Sequence, residues 1–71
     1  MPRELYEIRR LLEDGISQEV SAEDFEVYEL QRLVESAVEG NAMIYIVDSD
    51  QLETYEVERI AEEGKQNVVF R

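Results

Sequence analysis

The sequence predicts a small single α/β domain, residues 1–71, in the order helix, strand, helix, strand, helix, strand, with a mainly parallel sheet of two to three strands. Three observations carry this. Apolar residues recur at helical spacing in three segments, and each segment runs to an isolated glycine at Gly15, Gly40 or Gly64. Short runs rich in β-branched and aromatic residues separate them. A strand, a helix and a strand within about thirty residues favour a right-handed parallel βαβ connection.

The first helix covers residues 3–14: Pro2 suits a first helical turn, and Leu5, Ile8, Leu11 and Leu12 form its apolar stripe. Residues 16–20 alternate apolar and polar as a short strand does; the alternative makes them a loop, with the first two helices packed as a hairpin on a two-stranded unit. The second helix covers residues 22–39, opened by Ser21 with Asp24 three positions on and striped by Val27, Leu30, Leu33, Val34, Ala37 and Val38. Residues 42–47 are continuously apolar, which reads as a central strand covered on both faces. Asp48 or Ser49 caps a third helix carrying Leu52, Val57, Ile60 and Ala61, and residues 67–70 close the chain pattern as a strand.

The three helices repeat one pattern: Tyr6-Glu7, Arg10 and Glu13; Tyr28-Glu29, Arg32 and Glu35; Tyr55-Glu56, Arg59 and Glu62. The second and third copies also align without a gap back into the preceding strands, pairing Val20 with Val47 and Ser21 with Asp48. Duplication and convergence on a Glu-rich amphipathic helix both account for this. The spacing lets each guanidinium stack on the tyrosine four residues earlier, flanked by glutamates three residues either side, as a self-satisfying surface ladder. The alternative makes the tyrosines interface anchors.

Composition limits the chemistry. With no cysteine and no histidine, disulfides, Cys/His zinc sites, thiol nucleophiles and imidazole proton transfer are excluded. Ser17, Ser21, Ser36 and Ser49 have no histidine to activate them, Lys65 is the one lysine, and no glycine-rich phosphate loop exists. No enzyme and no cofactor are expected. A second alternative reads Asp48 and Asp50, beyond the end of a parallel strand and with Glu53 one turn on, as a divalent-metal site; helix capping explains the same residues.

Eighteen Asp and Glu against seven Lys and Arg give a formal charge of -11, a field that repels nucleic acid and anionic membranes. No signal-like apolar region or membrane-length run is present, so a soluble, cytoplasmic protein is expected. The charge has two readings. It adapts the protein to salt or solubility, leaving a structural or homo-oligomeric domain, or it attracts a basic protein surface, with a nucleic-acid mimic that inhibits its partner as a special case. The second reading assigns the contact set to Glu26, Tyr28, Glu29, Glu35 and Glu39 on the second helix and Glu53, Tyr55, Glu56, Glu62 and Glu63 on the third. A homodimer is expected as well, because three helices cannot easily cover both faces and two edges of so apolar a sheet.

Overall fold

Helix α1 spans Leu5–Glu13, α2 Val27–Gly40 and α3 Thr54–Gly64, in a computed structural model that describes residues 4–71. The readings at Pro2 and at residue 3 lie outside the described residues. All three helices begin in the same way. Glu7 accepts a hydrogen bond from the Glu4 backbone N–H at 3.0 Å, Glu29 from that of Glu26 at 2.8 Å, and Glu56 from that of Glu53 at 2.8 Å. Each pair is a capping box built from Glu-x-x-Glu, which satisfies exposed donors and sets a carboxylate against the positive end of the helix dipole.

These boxes correct two expected helix starts. The second helix opens at Glu26 rather than at residue 22, because Ser21 and Asp24 instead close a turn: the Asp24 N–H donates to the Ser21 carbonyl at 3.1 Å, and the Glu23 N–H to the Ser21 hydroxyl at 3.2 Å. The third helix is capped by Glu53, not by Asp48 or Ser49; Asp48 adopts a left-handed conformation (φ 57°) that leads into a 3-10 turn at Ser49–Gln51.

The strands are β1 (Gln18–Ser21), β2 (Ile44–Val47) and β3 (Val68–Phe70), all parallel, in the spatial order β1-β2-β3. The helix-strand order, the parallel sheet and the central place of β2 are therefore as the sequence predicts, and the hairpin alternative, with no first strand, is ruled out. Register pairs Gln18 with Ile44 and Ile44 with Val68, and Val20 with Ile46 and Ile46 with Phe70, so these side chains share one face. On it Val20, Ile44 and Ile46 join one core with Ile8 and Leu12 of α1, Leu30, Leu33, Val34 and Ala37 of α2, and Ile60 of α3.

All three helices thus contribute to the core on that one face. The opposite face carries Glu19, Ser21, Tyr45, Val47 and Val69, none of which belongs to the core cluster or packs against it. Within one chain, residues 42–47 are therefore covered by helices on one face only, not on both. The reason is topological: two crossovers of the same hand between successive neighbours, with no reversal of strand order, put both helices on the same side. The molecule is accordingly a slab, 29 × 28 × 18 Å between Cα extremes.

Close packing within the helix layer fixes two of the glycines. Gly40 and Gly64 are the last residues of their helices, not residues beyond them. A Cβ on Gly40 would overlap the Leu12 carbonyl oxygen and lie 2.8 Å from the Glu13 backbone, whereas one on Gly64 would lie 2.5 Å from Val34 Cγ1 and 2.7 Å from Val68 Cγ1. The left-handed positions that end these helices belong to Asn41 (φ 56°) and Lys65 (φ 51°). Between α1 and α2, Arg9 Nε donates to the fully buried Ser36 Oγ at 3.0 Å, and Ser36 Oγ donates to Glu13 Oε2 at 3.0 Å.

The internal repeat resides in the helices and stops there. The gapless alignment pairs Val20 with Val47, yet the sheet register pairs Val20 with Ile46 and Ser21 with Val47. Residues 48–53 connect β2 to α3, one residue more than residues 22–26 between β1 and α2. In a strand a one-residue shift exchanges faces, so the aligned Val20 and Val47 point to opposite sides of the sheet.

Candidate functional site

The acidic surface is a property of the helix layer. Every glutamate except Glu19 and Glu23 lies in a helix or at its N-cap. At about 100° per residue, Tyr28, Arg32, Glu35 and Glu39 fall on the side of α2 opposite its buried Leu30, Leu33, Val34 and Ala37. The same geometry places Tyr55, Arg59 and Glu62 opposite Ile60 and Gly64 on α3. Parallel strands with helical crossovers also bring the N-termini of α2 and α3, with Glu26 and Glu53, to the end of the sheet where the strands finish.

Of the residues expected as a contact set, Glu26, Glu35, Glu39, Glu53, Glu62 and Glu63 are exposed, as are Tyr28 at 62% and Tyr55 at 59%. Glu29 and Glu56 are half-buried and hold the capping boxes, so their first task is to start a helix. Tyr6 is exposed at 68% and falls outside the expected set, although the repeat marks it as the equivalent of Tyr28 and Tyr55. It borders shallow depressions along α1 that Arg9, Arg10 and Glu13 also line.

The expected Tyr-Arg-Glu ladder does not form. Among the described residues, the one guanidinium over an aromatic ring is Arg71, 4.6 Å from the Tyr45 centroid on the sheet face. The ion pairs there are Arg9 with Glu13 at 4.0 Å and Arg71 with Glu19 at 3.5 Å. Arg10, Arg32 and Arg59 do not reach their flanking glutamates within that range, because an (i, i+3) spacing makes contact available without fixing two long exposed side chains in place. The helix carboxylates other than Glu13 are consequently without a cation on the described part of the chain.

Asp48 and Asp50 do not converge with Glu53. Asp48 Oδ2 accepts the Ser21 hydroxyl at 2.7 Å, which ties the end of β1 to the end of β2, and Glu53 is committed to the start of α3. Among the described residues, no group of three or more His, Cys, Asp or Glu side chains is placed to hold a metal ion. Ser49 is likewise engaged, its hydroxyl donating to the Arg71 carbonyl at 2.8 Å. Among the same residues, no helix is long and apolar enough to cross a membrane. Comparison with protein-family models, with curated proteins and with solved structures gives no match.

Proposed function

We propose that the protein is a stoichiometric binding module whose helix layer docks on a basic protein surface. The observation that carries this reading is that the helix carboxylates other than Glu13 have no cation partner among the described residues, on a molecule of formal charge -11. Arg32 and Arg59 leave Glu35 and Glu62 free to meet an external cation. Glu35, Glu39, Glu62 and Glu63 form the central contact set, Glu26 and Glu53 extend it toward the helix N-termini, and the exposed rings of Tyr28 and Tyr55 supply apolar anchors. Such a surface gives fast, steered association and an affinity that falls as salt rises, since exposed charges are screened over about 8 Å at physiological ionic strength.

The test is capture of partners from the native host at low and moderate salt, then titration of an identified partner against a variant in which Glu35, Glu39, Glu62 and Glu63 are changed to Lys. Those four positions avoid the capping residues Glu29 and Glu56, so the helices remain intact. Loss of binding with retained helical circular dichroism supports the acidic contact set. Equal affinity of the two proteins refutes it and leaves the charge as an adaptation to solvent.

A further inference from the structure

We infer that the uncovered sheet face is a self-association surface, on which a second copy of the chain docks sheet to sheet and leaves both acidic helix layers pointing outward. The face combines half-buried Tyr45, Val47 and Val69 with one anion, Glu19, and one cation, Arg71. Glu19 lies on β1 and Arg71 directly follows β3, so the two charges flank Tyr45 from opposite edges of the sheet. Their side chains are 59% and 56% exposed and meet at 3.5 Å, with the guanidinium over the Tyr45 ring.

Charge selects the occupant. The sheet face is locally neutral on a molecule of charge -11, so a basic partner gains more from the helix layer. A second copy, by contrast, offers this face the same apolar centre and the complementary pair of charges. A two-fold axis running along β2 between the facing sheets sets Tyr45 near its counterpart and lays β3 of each copy over β1 of the other. Arg71 then meets Glu19 of the second copy, an isologous arrangement.

Distance agrees with this. Facing sheets pack about 10 Å apart, and each helix layer lies beyond its own sheet. The two acidic layers are therefore separated by more than one Debye length of ~8 Å. Added salt screens what repulsion remains, so self-association is favoured by salt while the helix-layer interaction is weakened by it.

Sedimentation equilibrium of the whole chain over a series of salt concentrations tests the proposal. The expected mass is twice 8.3 kDa, with association strengthening or holding constant as salt rises. Arg71→Glu, which sets two anions against each other across the interface, weakens it by at least about tenfold. Combining it with Glu19→Arg restores the dimer, and Val69→Asp abolishes it. The fourfold helix-layer Lys variant stays dimeric, which separates this interface from the basic-partner reading. An 8.3 kDa species at every salt concentration, or undiminished association in both Arg71→Glu and Val69→Asp, overturns the proposal.

Discussion

The two faces of strand β2 are built from similar residues and have opposite fates. Ile44 and Ile46 are fully buried beneath the helices, whereas Tyr45 and Val47, one position away, are only half-buried on a face that no helix covers. Apolar character alone does not separate them; strand order does. With β1, β2 and β3 laid down successively, the chain spends both crossover helices on one side, and the helix layer gathers nearly all the glutamates while the bare face keeps a single ion pair. Stability is concentrated between the layers, and two outer surfaces of different charge are left exposed.

Truncation across β2 should show the largest contrast. Ile46→Ala removes a fully buried side chain and is expected to cost about 2–5 kcal/mol, which is much of the stability of so small a domain. Val47→Ala, on the uncovered face, should cost less than about 1 kcal/mol in dilute protein, since the removed methyls already touch solvent. Urea unfolding of the two variants at low concentration measures the difference. Comparable losses would mean that the outer face is packed, and the contrast would fail.

Next in size is an effect inside the helix layer. Gly40→Ala drives a methyl group into the Leu12 carbonyl and the Glu13 backbone, where no flexible side chain can give way, and should destabilise by about 3 kcal/mol. The same substitution at Asn41, which adopts the left-handed conformation, loses only a favourable αL residue and should cost about 1 kcal/mol. If thermal denaturation ranks the two in the reverse order, α1 and α2 do not approach as closely as described.

Much of this organisation is legible in the sequence, and the misses have physical causes. Element order and the parallel sheet follow from helical stripes, glycines and β-branched runs, because each element must bury one face. The bare side of the sheet is not legible, since residues 43–47 are all apolar and show no alternation. The periodic stripe correctly exposes Glu35, Glu39 and Glu62, yet it does not distinguish them from Glu29 and Glu56, which cap helices. The Glu-x-x-Glu spacing at Glu4, Glu26 and Glu53 was the available signal: the glutamate two positions before each tyrosine belongs to the repeat. The ladder expected around Arg10, Arg32 and Arg59 failed because proximity along a helix does not establish contact.

That distinction gives a smaller, testable difference among glutamates of one layer. Glu29→Ala or Glu56→Ala breaks a capping box and should cost about 1 kcal/mol. Glu35→Ala or Glu62→Ala should change stability by no more than about 0.5 kcal/mol, and any shift should be stabilising, because each removes one like charge from an acidic surface. Chemical denaturation at moderate salt reads both; equal effects at cap and mid-helix positions would remove the distinction.

An effect of opposite sign concerns the joint where the helix layer passes into the sheet. Lys65 follows α3 with φ 51° and ψ -117°, a region that a Cβ disfavours, while its neighbour Gly64 holds ordinary helical angles. The two positions carry different constraints: Gly64 must lack a side chain to fit between Val34 and Val68, and Lys65 must turn the backbone toward β3. Only the first constraint is met by the residue present. Lys65→Gly relieves backbone strain of about 1–3 kcal/mol and gives back about 0.5–1 kcal/mol through the greater freedom of glycine in the unfolded chain. The Lys65 side chain is exposed and makes no ion pair among the described residues, so little else is lost. A net gain of about 1 kcal/mol should raise the midpoint of thermal unfolding by about 4–8 °C for a domain of this size. A lowered midpoint would show that Lys65 contributes more through its charge on this acidic molecule than its backbone costs, and would make electrostatics, not turn geometry, the reason a lysine occupies the joint.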